Sequence, residues 1–339
     1  MGCRVARVAV LSAGSWGTTM AKVFADAGSD VTIHARRPEV VAEINVRHQN
    51  AQYLPDVVLP DRLRATADPV EALAGARHVV LSIPAQALRA NLAAWAPHIE
   101  PDAVVVSSMK GVETYSGLRM SEVIHQVTGI PCERIAVLSG PNLAREIAAG
   151  QPAASLIACP DETAAAALQK ACHTPYFRPY KGTDVAGCEL GGAIKNVIAL
   201  AVGLAAGLGM GDNARTLLVT RGLAETARLG QAMGADPLTF SGLAGAGDLI
   251  ATCSSPLSRN RTFGEHLGQG MSVEEATTAT GQTAEGVKSC RAILDLSRVH
   301  GVEMPITEVV AAVIDGTTSV PDAAAALMSR TPKPERYST

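Results

Sequence analysis

The sequence predicts a two-part α/β chain: a mostly parallel sheet domain followed by an all-helical C-terminal domain. Three observations carry this. At 339 residues the chain is long enough for two cores. Up to about residue 186, short β-branched apolar runs alternate with helical stretches, the pattern of crossover units on a parallel sheet. From Glu189 onward helix follows helix with no strong strand pattern. The expected boundary therefore divides 1–188 from 189–339.

Taken in order, strands are expected at Val5–Leu11, Asp30–Ala35, His78–Ile83, Ala103–Ser107 and Ile135–Leu138. Each is apolar for about five residues and bounded by turn or polar residues. Helices are expected between them at Gly17–Ala27, Pro38–Arg47, Val70–Ala74, Gln86–Ala94 and Leu118–Val127. Ala154–Ala158 and Phe177–Tyr180 read as two further strands around a helix at Thr163–Cys172. Ala193–Leu208 and Asn213–Met233 read as long Ala/Leu-rich helices, and the polar tail from Thr331 to Thr339 as a frayed end.

Composition narrows the function classes. Hydrophobic residues are 47% of the chain, charged residues 18% and aromatics 3%, so Ala, Val, Leu and Gly must build the cores. A net charge of −3 argues against a general nucleic-acid surface. No apolar run reaches membrane-spanning length without a charge or clustered glycines; Val197 to Gly211 comes nearest. The chain enters its first strand at once, which leaves no room for a signal peptide. The seven cysteines are scattered, with no Cys-x-x-Cys pair. They read as buried thiols in a reducing cytoplasm, not as a zinc site or a disulfide framework. The eight histidines show no metal spacing.

The first strand runs into Ser12-Ala13-Gly14-Ser15-Trp16-Gly17 and then a helix. This is the dinucleotide fingerprint G-x-G-x-x-G with Ser12 at the first glycine position. Gly14 lets the backbone approach a pyrophosphate, and Gly17 lets the helix pack on the strand. The helix N-terminus offers N–H groups to the phosphates. The pattern predicts a Rossmann-type dinucleotide-binding domain over 1–188. The second strand ends in His34-Ala35-Arg36-Arg37, where an NAD-preferring site often has an acidic residue. Two guanidinium groups suit the 2′-phosphate of NADP, and NADP is favoured over NAD. A solvated arginine pair is the plainer reading.

Ketone reduction by hydride needs a proton donor, and a lysine serves if burial or a nearby cation lowers its pKa. Lys195 sits at the expected junction in Gly191-Gly192-Ala193-Ile194-Lys195-Asn196. Lys110 follows the Ala103–Ser107 strand, at the carboxyl edge of the sheet where ligands bind. In one closed site the two ammonium groups would disfavour each other's charge. Asp248, in Gly245-Ala246-Gly247-Asp248, either accepts from a substrate hydroxyl, orients Lys195, or caps a helix. Ser258-Arg259-Asn260 offers a hydroxyl, a guanidinium fork and an amide to a phosphate monoester.

The chain resembles, nearly end to end, the bacterial type of NAD(P)-dependent glycerol-3-phosphate dehydrogenase. The likeness is carried by Gly14-Ser15-Trp16-Gly17-Thr18, Ser108-Met109-Lys110-Gly111, Ser139-Gly140-Pro141-Asn142 and Gly191–Asn196, and further on by Asn213-Ala214-Arg215-Thr216, Thr220–Glu225, Gly245–Leu249 and Ser258–Arg261. The resemblance implies reversible hydride transfer between NAD(P)H and dihydroxyacetone phosphate, giving glycerol 3-phosphate for phospholipid synthesis. It implies Lys195 as the general acid/base, and Lys110, Gly140, Asn142, Lys195, Asp248, Ser258, Arg259 and Asn260 around the substrate. Gly14, Ser15, Trp16, Gly17, Arg36, Arg37, Lys110, Ala144, Arg259 and Glu285 would hold the cofactor. Many members carry Ser or Thr where this chain has Asn142. The family is often dimeric, though no motif here specifies a homodimer. Two alternatives stay open: a β-hydroxyacid or ketopantoate dehydrogenase of the same architecture, and an NADP-binding sensor without turnover.

Overall fold

The computed structural model describes residues 5–281, 284–332, 334 and 335. The expected frayed tail falls partly on Lys333 and on residues 336–339, which lie outside the described residues, as do Gln282 and Thr283.

The sheet is built from β1 (Arg7–Leu11), β2 (Asp30–His34), β3 (Leu63–Thr66), β4 (His78–Leu81), β5 (Val104–Ser107), β6 (Ile135–Ser139), β7 (Ala153–Ala158) and β8 (Phe177–Gly182). Their order is β3-β2-β1-β4-β5-β6-β7-β8. All neighbours pair in parallel except β6 and β7, which are antiparallel. The order reverses between β1 and β4, where Val8 pairs with Val31 on one side and His78 on the other. That reversal opens the crevice in which α/β sheets bind ligands, at the carboxyl ends of the strands.

Between the strands run α1 (Ser15–Asp26), α2 (Pro38–Ala42), α3 (Pro69–Leu73), α4 (Leu88–Trp95), α5 (Met120–Thr128), α6 (Ala144–Ala148) and α7 (Glu162–Cys172). Because side chains alternate along a strand, Val8 and Val10 of β1 enter one core with Met20 and Phe24 of α1. Ala9 and Leu11 enter the opposite core with Leu88 and Leu92 of α4. Burial on both faces explains why these strands read as continuous apolar runs.

Seven strands were expected from the sequence and eight are present. The eighth, β3, is a four-residue edge strand, Leu-Arg-Ala-Thr, paired only to β2. So short a run, half of it Ala and Arg, carries almost no strand signal. The expected helix Pro38–Arg47 is α-helical only to Ala42, then passes through a π-helical turn at Glu43–Arg47.

The second half is α8 (Val185–Gly207), α9 (Asp212–Ala232), α10 (Asp248–Ser254), α11 (Arg259–Gly268), α12 (Val273–Thr280), α13 (Glu285–Val299), α14 (Pro305–Ile314) and α15 (Val320–Met328). Helix α8 starts at Val185, eight residues before the expected Ala193. It is long and apolar enough to cross a membrane by length and composition, but 89% of its apolar window is buried inside the fold. A helix that is apolar all round is the centre of a helical layer, and α9, α10, α11, α13 and α14 pack around it. Against α11 the approach is backbone to backbone: a Cβ on Gly264 would lie 2.2 Å from the Leu200 carbonyl. Of the six described cysteines five are buried; Cys132 is exposed, contrary to the expectation of buried thiols, because it opens a surface turn before β6.

Candidate active site

The glycine turn joins β1 to α1, with Gly14 as N-cap and no side chain capping the helix. Its first N–H groups are therefore open to an anion. A Cβ on Gly17 would fall 2.0 Å from the Ser12 carbonyl oxygen, so only glycine allows the turn to close. Asn50 holds the turn from behind, donating through Nδ2 to the Ala13 carbonyl at 3.0 Å and to Thr18 Oγ1 at 2.8 Å. Thr19 Oγ1 lies 2.9 Å from the Ser15 carbonyl and 3.1 Å from that of Ala144, tying α1 to the start of α6. The buried Trp16 Nε1 has no partner among the described residues. A side-chain-free cradle, an open helix terminus and an unused indole N–H fit a dinucleotide pyrophosphate.

The two arginines after β2 differ. Arg37 is held by Gln52 and, at 3.7 Å, by Glu39. Arg36 is exposed, and its guanidinium makes no hydrogen bond or ion pair with any described residue. The free fork is the better placed for a 2′-phosphate.

A carboxylate clasped by two lysines forms the centre of the site. Asp248 opens α10 directly after a π-helical turn, Leu243–Gly247. Its side chain caps no helix. Oδ1 accepts from Lys195 Nζ, and Oδ2 accepts from Lys110 Nζ at 2.6 Å. Lys195 also donates to Thr252 Oγ1 at 2.7 Å, and Lys110 to the Gly140 carbonyl at 3.1 Å. Asp248 is 1% exposed and Lys195 7%. Burial, seconded by the Lys110 charge and opposed by Asp248, brings the Lys195 ammonium down to about 8. The mutual discouragement of the two cations is thus present, with desolvation the larger cause.

Local sequence explains this convergence. A Cβ on Gly191 would strike the Ala244 carbonyl at 2.4 Å, so a bare backbone lets the turn carrying Asp248 close onto α8. A Cβ on Gly192 would meet Ser139 Oγ at 2.9 Å and Lys110 Cγ at 3.4 Å, so β6 and Lys110 close from the other side. One turn earlier on α8, buried Glu189 accepts from Arg119 Nη1 at 2.9 Å, Ser121 N at 2.7 Å and Ser121 Oγ at 2.6 Å. That clamp fixes α8 against α5.

Around this centre, Asn260 donates through Nδ2 to Asn196 Oδ1 at 3.0 Å, and its Oδ1 accepts from Gly286 N at 2.9 Å. Ser258 caps α11, accepting from Arg261 N at 3.3 Å, and its hydroxyl hydrogen has no acceptor among the described residues. Arg259, the first residue of α11, is exposed. Arg261 pairs along its own helix with Glu265 at 3.5 Å, a structural role. Glu285 begins α13; burial pushes its carboxyl up, opposed by the positive charges of Arg259, Lys288, Lys110 and Lys195. Asn142 Oδ1 accepts from Ser155 Oγ at 2.5 Å, while its buried Nδ2 lacks a partner among the described residues.

Thr252, Asn196, Ser155 and Asn50 were not singled out from the sequence. Thr252 was accessible: it stands one helical turn after Asp248, on the same face. Asn196 stood in the Gly191–Asn196 block without a role of its own, and Ser155 and Asn50 are tertiary partners that no local pattern marks.

The sequence model described as NAD-dependent glycerol-3-phosphate dehydrogenase N-terminus matches residues 7–165, and its C-terminus counterpart matches 184–325. The chain belongs to the NAD-dependent glycerol-3-phosphate dehydrogenase family. A curated relative named glycerol-3-phosphate dehydrogenase [NAD(P)+], from Streptomyces griseus, is 62% identical over 330 residues, covering 97% of this chain and 98% of its own. One from Thermobifida fusca is 60% identical over 332 residues, covering 98% and 99%. The crystal structure of glycerol-3-phosphate dehydrogenase from Coxiella burnetii superposes with a TM-score of 0.90 at 35% identity, covering 96% of this chain and 99% of that one. Family membership makes the chain an NAD(P)-dependent oxidoreductase and sets aside the ketopantoate and β-hydroxyacid readings.

Proposed function

We propose that the chain reduces dihydroxyacetone phosphate to sn-glycerol 3-phosphate, reversibly, with Lys195 as the proton donor and acceptor at the C2 oxygen. The observation that carries this is the Lys195–Asp248–Lys110 cluster, its first two members buried, at the carboxyl edge of the sheet. When bound, the reduced nicotinamide supplies the hydride. Lys195, poised near neutrality, supplies the proton that turns the developing alkoxide into an alcohol, and takes it back in the reverse direction. Asp248 orients the ammonium together with Thr252, leaving the third N–H of Lys195 for the substrate oxygen. Lys110 adds a positive charge that stabilises the developing oxyanion. Ser258, Arg259 and Asn260, at the start of α11, receive the phosphate. Gly140 and Asn142 form the wall after β6, with the Asn142 amide N–H as donor.

Gly14, Ser15, Trp16, Gly17, Arg36 and Ala144 hold the dinucleotide, with Arg37, Lys110, Arg259 and Glu285 at its margin. The free Arg36 favours NADPH. The proposed setting is a cytoplasmic homodimer supplying glycerol 3-phosphate for phospholipid synthesis.

Mixing the protein with NADPH and dihydroxyacetone phosphate, and following loss of the reduced-nicotinamide absorbance, tests the function. Turnover with this ketone and none with ketopantoate is expected. Tight NADPH binding without turnover would overturn it in favour of a sensor.

A further inference from the structure

Ser12 stands where a dinucleotide turn ordinarily has its first glycine, and its φ is +135°. An L side chain rarely adopts that conformation, and strain of this kind concentrates at ligand sites. The side chain is not merely tolerated. Ser12 Oγ accepts from the Gly14 N–H at 3.3 Å. Apart from its two chain neighbours, a Cβ built on Gly14 would meet only Ser12 Oγ, at 3.5 Å, within 4 Å among the described residues. The hydroxyl therefore occupies the open side of Gly14, the side a fingerprint keeps clear for pyrophosphate. A hydroxyl carries one hydrogen and two lone pairs. One lone pair is engaged by Gly14, and the hydrogen has no acceptor among the described residues.

We propose that Ser12 is a cofactor-binding residue: its hydroxyl takes the Gly14 N–H and donates its own hydrogen to a pyrophosphate oxygen of the dinucleotide. The turn then presents a side-chain O–H where a glycine would leave a bare backbone N–H. The Gly14–Ser12 bond is long and between neutral groups, whereas a bond from O–H to a charged phosphate oxygen is shorter and stronger. The inference rests on Ser12–Gly17 being the pyrophosphate turn.

The test is the dissociation constant for NADPH, read by nicotinamide fluorescence, in the full-length protein and in Ser12→Ala and Gly14→Val. Ala is held at the same φ as Ser, so Ser12→Ala isolates the hydroxyl without changing the backbone demand, and an unchanged Tm verifies its fold. Ser12→Ala is expected to weaken NADPH about tenfold or more, the loss of one hydrogen bond to a charged group. Adenosine 2′-monophosphate, which has no pyrophosphate, should bind the variant as it binds the parent. Gly14→Val should lose NADPH because its side chain fills the cradle. Wild-type or tighter NADPH binding by Ser12→Ala, with Gly14→Val impaired, overturns the role of Ser12 and leaves the turn in place. Unimpaired binding by Gly14→Val overturns the turn and the role together.

Discussion

Replacing Asp248 by Asn removes the carboxylate that both ammonium groups share while keeping its shape. Lys195 donates to Oδ1 and Lys110 to Oδ2 at 2.6 Å, so the change leaves the buried Lys195 and the half-buried Lys110 ammonium groups facing an amide. At an effective dielectric of about 20, unit charges about 3 Å apart interact by roughly 5 kcal/mol, or about four pKa units at about 1.4 kcal/mol each. Relaxation and water entry recover part of this, so the expected net fall for Lys195 is about two pH units. In the parent, the ammonium titrates at about 8. Ketone reduction needs the protonated lysine, so kcat/KM for dihydroxyacetone phosphate should fall as pH rises through that value. Oxidation of glycerol 3-phosphate needs the free amine and should rise through the same region. In Asp248→Asn both limbs should move about two pH units downward, which cuts reduction near neutrality by about tenfold from protonation alone. Initial rates in both directions across a pH series measure this. A limb that stays in place, or moves upward, would refute the reasoning, because the carboxylate would not then be holding the proton on Lys195.

Two further outcomes follow. Arg36→Ala should raise the dissociation constant for NADPH about tenfold or more while changing that for NADH by less than about twofold, since one charged hydrogen-bonding fork is lost; parallel losses would count against a 2′-phosphate contact. Gly191→Ala should lower stability by about 1–3 kcal/mol, as overpacking against backbone does, because the added carbon sits 2.4 Å from the Ala244 carbonyl. It should also depress kcat by displacing the Asp248 turn; unchanged Tm and kcat would contradict that.

The sheet was legible because its strands are buried on both faces and so read as unbroken apolar runs, from Val8–Leu11 to Ile135–Leu138. Edge strand β3 was not, since it is only four residues long and the exposed Arg64 interrupts its buried positions. The centre of the site was legible as residue types: Lys110, Lys195 and Asp248 each stood in a Gly-rich block, and the structure brings them together. What those blocks could not convey is why the glycines are there. Gly191 and Gly192 each mark a close approach to a different wall of the site, the Ala244 carbonyl for one and Ser139 with Lys110 for the other. The Asp248 carboxylate could equally have been a helix cap; only the meeting of α8 and α10 decides for the lysines. Asn260 was expected as a phosphate donor; one Nδ2 hydrogen goes to Asn196 and its Oδ1 takes the Gly286 N–H, so the second Nδ2 hydrogen is the one left for a phosphate, which no local pattern could convey. Glu285 was placed at the cofactor only by the resemblance; its position among Arg259, Lys288, Lys110 and Lys195 is a tertiary feature that its local sequence does not carry.

The central claim is that Lys195 moves the proton. Single-turnover mixing of enzyme-bound NADPH with saturating dihydroxyacetone phosphate tests it in Lys195→Met, which fills the same buried space without an ammonium. The rate of nicotinamide oxidation should fall by about a hundredfold to ten-thousandfold, the usual contribution of a positioned general acid, with NADPH affinity within about threefold of the parent. A single-turnover rate near that of the parent would contradict the account.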